Sequence, residues 1–133
     1  MQAYHYTATV TLVALLVYVF LGIQVSRAHV KAGIPPPKMI GDPQLEQTIR
    51  GHLNMLEWMP VFLPSLWLFA IYWNDKVAAL AGVAWIVGRA IYFYGYVAKP
   101  EGRFVGFFIQ LAAVAFLLFG ALGRVVYLAA TGG

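Results

Sequence analysis

The sequence has 133 residues, of which 62% are hydrophobic and only 11% are charged, and its formal net charge is +4. Soluble domains average about 45–50% apolar and about 25% charged residues, so the composition excludes an ordinary soluble protein and predicts a membrane protein. The absence of cysteine excludes a disulfide framework, a thiolate metal site and a nucleophilic thiol belonging to the chain. The basic residues are spread along segments that flank the apolar stretches, which fits orientation in a bilayer better than nucleic-acid binding.

Four apolar segments are visible, at about 4–27, 45–73, 77–97 and 104–130. Each is long enough to cross the hydrocarbon core as a helix, and nothing is left over for a soluble domain. The first segment lacks a positively charged start and a small-residue cleavage site, so we interpret it as a retained helix rather than a signal peptide. The sequence therefore predicts an all-α integral membrane protein, in which residues 1–133 form one antiparallel bundle of four transmembrane helices.

The connections between the segments are marked by helix breakers. The first, "KAGIPPPKMIGDPQ", is rich in prolines, which cannot continue a helix, and contains glycines that permit turns. The second is only "NDK", and the third, "KPEGR", is also short, as expected between antiparallel neighbours. Pro60 and Pro64 fall inside the second segment, where they predict a kink that neighbouring helices accommodate.

Lysine and arginine are distributed unevenly between the two ends of the predicted bundle. Six of them flank the first and third connections, namely Arg27, Lys31, Lys38, Arg50, Lys99 and Arg103, whereas Lys76 and Arg124 lie toward the other end. By the positive-inside rule, the first and third connections are expected to face the cytoplasm. The short termini and the lack of a eukaryotic retention signal favour a bacterial inner membrane over the endoplasmic reticulum.

The stretch "RGHLNMLEWMP", residues 50–60, places polar residues where a membrane helix should avoid them. On a helix, Arg50, Asn54 and Glu57 fall at i, i+4 and i+7 and project from one face. Charges at this depth cost roughly 2.5–3.5 kcal/mol each on insertion scales, so they normally face a bundle interior or a polar cavity. Two interpretations stay open: an ion pair with Arg89 of the third segment, or recognition of a zwitterionic or anionic ligand.

A second cluster lies in "RAIYFYGYVAKPEGR", residues 89–103. Tyr92 and Tyr96 are four residues apart and share a face, and Arg103 begins the next helix just after a turn. Taken alone, such tyrosines are more typical of an interfacial belt, and Arg103 of a positive-inside anchor. Both clusters nevertheless fall on the same predicted cytoplasmic side, which favours convergence on one pocket.

The remaining polar residues give weaker signals. Gln110 in the fourth segment predicts an interhelical hydrogen bond rather than a catalytic group. His5 and His29 lack metal-ligand spacing, so the sequence predicts no metal site. Small residues in the third segment, including Gly82 and Gly88, predict close packing against neighbouring helices.

Together these two stretches resemble the MAPEG family, the membrane-associated proteins of eicosanoid and glutathione metabolism, which includes microsomal glutathione transferases and leukotriene C4 synthase. The resemblance is carried by R-x-x-x-N-x-x-E in "RGHLNMLEWMPVFL", followed by Y-x-x-x-Y and an arginine seven residues further on in "GRAIYFYGYVAKPEGR". The proline-rich connection before Arg50 also has the family's position and length. The resemblance extends from Gln24 to the last helix and is strongest over residues 45–104.

The resemblance implies a homotrimer of four-helix subunits that binds glutathione between neighbouring subunits. The implied glutathione-binding positions are Arg50, Asn54, Glu57, Tyr92 and Tyr96. It also implies that Arg103 activates the glutathione thiol. The non-catalytic, lipid-binding branch of the family typically lacks part of this set, which is complete here.

The sequence departs from the family pattern at several positions near this set. His29 and Val30, with Arg27 one turn earlier, stand where the leukotriene synthase branch carries an arginine pair. His52 replaces a glutamine, and Trp58 replaces a tyrosine. These departures leave open the neighbouring subunit's share of the site, and the four residues Arg27, His29, His52 and Trp58 are kept as candidate glutathione contacts.

Glutathione gives each polar residue of the second segment a role. Arg50 can pair with a carboxylate, Glu57 with the amino group, and Asn54 with a peptide unit. A nearby cation such as Arg103 favours the thiolate, which is the nucleophile. We expect conjugation of glutathione, the co-substrate, to apolar electrophiles from the lipid, a detoxification reaction, and reduction of lipid hydroperoxides as a second activity. A non-catalytic lipid-binding scaffold and a small proton-coupled multidrug exporter remain as alternatives.

Overall fold

The computed structural model describes residues 3–133, apart from the side chain of Pro100, and this part of the chain is almost entirely helical. The four long helices are α1 (His5–Ala32), α2 (Pro43–Tyr72), α3 (Asp75–Ala98) and α4 (Phe104–Thr131), and a 3-10 turn at Pro100–Arg103 precedes α4. All four are long and apolar enough to span a membrane. The predicted all-α bundle of four membrane-spanning helices is confirmed.

The helix ends follow from local sequence. The α1 helix ends where Gly33 takes a left-handed conformation, with φ of 70°, which favours glycine because it has no Cβ. The α2 helix is capped by Asp42, whose carboxylate accepts a hydrogen bond from the backbone N–H of Leu45 at 3.0 Å. It then runs as one helix through Pro60 and Pro64. Asn74 caps α3 in the same way as Asp42 caps α2, through the N–H of Val77.

The helices alternate in direction, so the bundle has two distinct ends. The connections at 33–42 and 99–103 lie at one end, called the loop end here. The start of α1, the end of α4 and the tight turn at Asn74 lie at the other, called the terminal end. The α2 and α3 helices each contact the other three helices, with α1 packed on one side of this pair and α4 on the other.

The contact between α3 and α4 is unusually close because glycines line it. A Cβ added to Gly88 would lie 2.7 Å from the backbone nitrogen of Gln110, and one added to Gly106 would overlap the backbone of Tyr92. Gly95 and Gly102 approach each other in the same way nearer the loop end. The predicted close packing around Gly88 is confirmed, and it fixes α3 and α4 as one unit.

The core beside this contact contains both aromatic and polar groups. Phe62 of α2 stacks on Trp85 of α3 with ring centroids 3.8 Å apart. The indole N–H of Trp85 donates to the side-chain oxygen of Gln110 at 3.0 Å, and both residues are fully buried. The predicted interhelical hydrogen bond of Gln110 is therefore confirmed. It joins α3 to α4 at the middle of the bundle.

Candidate functional site

The polar stripe of α2 lies in the half of that helix nearest the loop end. Arg50 and Glu57 are exposed on the single chain, and Asn54 is half-buried. The side-chain oxygen of Asn54 is buried and has no hydrogen-bond partner among residues 3–133. The stripe thus places two exposed charged side chains and one amide oxygen, unpartnered in the described chain, on a single face of a membrane-spanning helix.

On α3, a stack of rings and guanidinium groups runs toward the loop end. The rings of Tyr92 and Tyr96 stack with centroids 5.9 Å apart and an interplanar angle of 10°. The guanidinium of Arg89 lies over the Tyr92 ring at 4.4 Å. That of Arg103 lies 5.9 Å from the Tyr96 ring centroid and 4.8 Å from that of Phe104. The structure thus brings Tyr92, Tyr96 and Arg103 together, and we call Arg89, Tyr92, Tyr96 and Arg103 the cation–ring ladder.

The α2 stripe and the cation–ring ladder meet where α2 crosses α3. A Cβ on Gly51, next to Arg50, would lie 3.0 Å from the Phe93 ring and 3.8 Å from the Tyr96 ring. The segment that carries Arg50 therefore packs directly against the segment that carries the two tyrosines. This contact brings the two clusters side by side at the loop end.

Arg89 has an unusual environment. It is only 1% exposed, and none of its three guanidinium nitrogens has a hydrogen-bond partner in the described chain. Glu57 is exposed and makes no such bond with it. The ion pair between the stripe and Arg89, which the sequence left open, is therefore not formed within residues 3–133.

From the sequence, Arg89 was predicted only as an ion-pair partner. The position of its guanidinium over the ring of Tyr92 was not predicted. The signal was available, because Arg89, Tyr92 and Tyr96 follow one another at i, i+3 and i+7 on a single helical face. Arg89 is buried, and its guanidinium lies against one face of the ring of Tyr92, a candidate binding residue. It therefore joins the candidate site as a supporting residue.

Two histidine candidates lie on the opposite side of α2 from the stripe. The imidazole of His52 stacks on Tyr18 at 4.3 Å, and its Nε2 lies 3.0 Å from the Tyr18 carbonyl oxygen. Nδ1 of His29 lies 2.9 Å from the carbonyl oxygen of Ile34. Both histidines line a shallow depression of about 320 Å³. Within one chain they do not join the stripe.

The other two candidates, Trp58 and Arg27, also lie away from the tyrosines of α3 that adjoin the α2 stripe. Trp58 is half-buried and meets Phe107 of α4 edge to face, with ring centroids 6.4 Å apart. Arg27 is exposed and lines a separate cavity between α1, α2 and α3. The glutathione roles of Arg27, His29, His52 and Trp58 stay predictions. Among residues 3–133, no three His, Cys, Asp or Glu side chains are grouped closely enough to hold a metal ion.

The fold and this face define a four-helix integral membrane protein with a polar face near its loop end. Comparison with known proteins agrees with this architecture. The MAPEG family profile matches residues 7–123, so the chain belongs to the MAPEG family.

Three relatives illustrate the range of similar proteins. An uncharacterized protein of Synechocystis sp. is 39% identical over 90% of this chain and 88% of its own length. Microsomal glutathione S-transferase 2 of Homo sapiens is 36% identical over 78% of this chain and 71% of its own. Leukotriene C4 synthase of Cavia porcellus is 33% identical over 84% of this chain and 74% of its own. The chain is thus a multi-pass membrane protein with glutathione transferase and leukotriene C4 synthase homologues.

Proposed function

We propose that this protein is a membrane-bound glutathione transferase that conjugates the glutathione thiolate to apolar electrophiles. The observation that carries the proposal is the meeting of the α2 stripe with the cation–ring ladder. It joins Arg103 and its neighbouring tyrosines to a stripe whose Asn54 oxygen has no partner among residues 3–133. Relatives named as a glutathione S-transferase and as leukotriene C4 synthase support the same interpretation.

The stripe supplies recognition of the tripeptide. Arg50 pairs with a carboxylate of glutathione, and Glu57 binds its amino group, so each charge of the ligand meets an opposite charge. The unpartnered Asn54 oxygen accepts from a peptide N–H. Tyr92 and Tyr96 bind the remaining polar groups through their hydroxyls. Charges that are costly in an empty membrane protein become paired when the ligand is bound.

Arg103 supplies the chemistry. A free thiol has a pKa of about 8.5, so only a small fraction is thiolate at neutral pH, and the thiolate is the nucleophile. The guanidinium stabilises the anion and stays protonated itself. The sulfur then attacks an electrophilic carbon of a substrate arriving from the lipid, a new carbon–sulfur bond forms, and the leaving group departs with its electron pair. Holding both reactants at the membrane edge supplies the required proximity.

The same thiolate accounts for a second proposed activity on lipid hydroperoxides. Its sulfur attacks the terminal peroxide oxygen, which breaks the oxygen–oxygen bond and leaves an alcohol and a sulfenic acid of glutathione. A second glutathione thiol then displaces water and forms the disulfide. The protein supplies the same binding face and the same cation in both reactions.

We further propose a homotrimer with glutathione bound between subunits. The α2 stripe and the His29–His52 surface lie on opposite sides of α2 in one chain. A head-to-tail interface that closes into a ring places one of these surfaces against the other. His29 and His52, with Arg27 and Trp58 as the further candidates, would then complete the site across the interface.

The proposed location is a bacterial inner membrane with the loop end facing the cytoplasm. The basic residues concentrated at the loop end support this orientation, because they favour the cytoplasmic side. The similarity to a Synechocystis protein supports a bacterial setting. Glutathione would then be taken from the cytoplasm.

The test compares two arginines, near the two ends of α4, that make the same kind of contact. Arg103 lies over the Phe104 ring at 4.8 Å, and Arg124 lies over the Trp73 ring at 4.8 Å near the other end of the helix. With glutathione and 1-chloro-2,4-dinitrobenzene in detergent, Arg103→Ala should lose about 10²–10³-fold in kcat while it still binds glutathione. Arg124→Ala should keep its rate.

Three readouts separate this proposal from its alternatives. Glutathione binding by calorimetry, thiolate absorption in the ultraviolet and turnover are measured on the same preparations. Binding without thiolate or turnover would identify a scaffold and overturn the enzyme assignment. Absence of glutathione binding, combined with substrate transport that follows a proton gradient and is lost in Glu57→Gln, would identify an exporter.

A further inference from the structure

A second polar cavity, of about 490 Å³, opens at the loop end. It lies between the last turns of α1, the first turns of α2 and the last turns of α3. Its polar wall includes Gln24, Arg27 and Lys31 from α1 and Thr48 from α2, and Tyr94 of α3 closes the other side. Of these residues, only Arg27 is also a candidate contact for a neighbouring subunit's glutathione.

This cavity, called the α1 cleft here, is separate from the α2 stripe. Thr48 projects from roughly the opposite side of α2 to Arg50 and Glu57, since residues along a helix turn by about 100° each. On α3 the cleft takes Tyr94, which does not belong to the Tyr92–Tyr96 face. A ligand in the α1 cleft therefore occupies a different side of the subunit from the proposed glutathione face of the same chain.

The α1 cleft carries a net positive charge and contains side-chain hydrogen-bond donors that have no partner among the described residues. Gln24, Arg27 and Lys31 follow at i, i+3 and i+7, so they form one row along α1. The side chains of Arg27 and Lys31 make no hydrogen bond or ion pair with any of the residues that the structure describes. One carboxylate lines the cleft, that of Asp42, and it already accepts from the N–H of Leu45. The free donors call for a ligand rich in anionic acceptor oxygens.

The surroundings of the α1 cleft are those of a lipid-facing surface. Beside the basic row, Ile23 is 52% exposed and Val30 is 83% exposed on α1, and Tyr94 is 52% exposed on α3. Apolar side chains that flank a basic cavity at the end of membrane helices suit an amphiphile, with its charged group in the cavity and its chains along the helices. A cavity of this volume also accepts more than a bare phosphate group.

We propose that the α1 cleft binds the phosphate headgroup of an anionic phospholipid. Arg27 and Lys31 hold the phosphate oxygens, Gln24 and Thr48 bind headgroup or glycerol oxygens, and the acyl chains lie against the exposed apolar side chains of α1 and α3. The site discriminates by charge, because a zwitterionic headgroup brings a cation that the basic row repels. The bound lipid fixes the last turns of α1 against α3.

The experiment titrates purified, delipidated protein with phosphatidylglycerol, with phosphatidylcholine of the same acyl chains, and with inorganic phosphate. Native mass spectrometry counts bound lipid and gives relative affinities. Phosphatidylglycerol should bind at least tenfold more tightly than phosphatidylcholine, and inorganic phosphate should not displace it. Arg27→Gln combined with Lys31→Gln should weaken phosphatidylglycerol roughly 30-fold, as expected for two basic side chains next to an anionic headgroup.

A charge-matched control separates the cleft from general electrostatics. Lys38→Gln combined with Lys76→Gln removes the same charge outside the cleft and should leave the lipid affinity unchanged. Melting temperatures check folding, and Lys31→Gln alone replaces the double variant if that variant does not fold.

Three results would overturn the proposal. Equal affinity for the two lipids would exclude charge recognition, and displacement by inorganic phosphate would identify a simple anion site. A weaker glutathione affinity in the Arg27 and Lys31 variant, with lipid binding unchanged, would assign the cleft to a neighbouring subunit's glutathione. Each of these results leaves the transferase activity itself to be judged by the Arg103 comparison.

Discussion

The two ends of the bundle use their polar residues in opposite ways. At the terminal end, several polar groups of different helices bond to one another, although Nε of Arg124 is buried without a hydrogen-bond partner among the described residues. The carboxylate of Asp75 accepts from the backbone N–H groups of Tyr6 and Thr7 at 3.2 and 2.8 Å, and the indole N–H of Trp67 donates to the hydroxyl of Thr11 at 2.9 Å. The indole N–H of Trp73 donates to the carbonyl oxygen of Gly120, also at 2.9 Å.

At the loop end, several polar groups of the candidate site lack internal hydrogen-bond partners among the described residues, although neighbouring groups such as Gln44, whose amide donates to a backbone carbonyl oxygen of α3 at 3.1 Å, are paired. The oxygen of Asn54 and the nitrogens of Arg89 are buried and unpaired within the described residues. Arg50 and Glu57 stand exposed on a helix that is otherwise apolar. The interhelical bonds of the terminal end therefore help to close the bundle, whereas Arg50 and Glu57 near the loop end remain available to molecules outside the chain. Changes at the first should alter stability, and changes at the second should alter binding.

The largest expected effect comes from the same substitution placed at the two ends of α4. Gly106→Ala inserts a methyl group into the backbone of α3, so it should destabilise the protein by about 1–3 kcal/mol or prevent folding. A Cβ added to Gly123 would meet no atom within 4 Å, so Gly123→Ala should gain up to about 1 kcal/mol from helix propensity. Melting temperatures in detergent measure both, and equal shifts would contradict the close α3–α4 contact.

Arg89→Met should raise stability while it weakens function. A buried guanidinium without partners is costly, and an apolar side chain of similar length often stabilises by about 1–4 kcal/mol in such a position. The Tyr92 ring would lose the cation over its face, so the dissociation constant for glutathione should rise. Melting temperature and calorimetry are measured on the same sample. A lower melting temperature would show that Arg89 is paired in the assembled protein.

A pair of near-isosteric substitutions separates the two ends most directly. Asn54→Leu removes an acceptor that has no partner inside the described chain, so it should weaken glutathione binding about tenfold without lowering stability. Thr11→Val leaves the indole N–H of Trp67 unpaired, so it should cost about 1–3 kcal/mol of stability and leave glutathione affinity unchanged. If both variants change the same property, the two ends do not divide their roles.

The smallest expected effect is at Asp75, the half-buried carboxylate that joins the start of α3 to the first turn of α1. Asp75→Ala removes the acceptor for two N–H groups in the first turn of α1, where helical N–H groups otherwise lack partners. The melting temperature should fall by a few degrees, and glutathione binding should stay as it is. Glu101→Ala, which removes an exposed carboxylate from the loop end, serves as the stability control and should not shift the melting temperature.

Much of the fold could be predicted because apolar length determines membrane-spanning helices directly. The α2 stripe could be predicted for a similar reason, since polar residues in an apolar helix stand out at helical spacing. The rotation of α1 about its own axis could not be predicted, because its apolar residues cover most of the helix surface and do not indicate which side packs inward. As a result, Arg27 and His29 were grouped in the sequence but point to different cavities in the structure.

The place of Arg89 also escaped prediction, for a different physical reason. Sequence reasoning assumes that a buried charge finds an opposite charge, and the nearest acid on the facing helix was Glu57. The structure instead places the guanidinium on an aromatic face, which leaves its donors unused. The identity of a partner depends on the relative rotation of α2 and α3, which periodicity along one helix does not contain.

The glycine contact between α3 and α4 divides the site into a fixed part and an adjustable part. Tyr92 and Tyr96 lie on α3, and Arg103 lies just before α4. Because the backbones of these segments touch at Gly88, Gly95, Gly102 and Gly106, the two tyrosines and the proposed thiolate-stabilising arginine should keep their spacing. Any movement that admits the proposed apolar substrate must then be accommodated by α1, α2 or a neighbouring subunit of the proposed trimer. Substitutions intended to change the range of substrates are therefore best placed on α1 or α2, where they should leave the arrangement of Tyr92, Tyr96 and Arg103 unchanged.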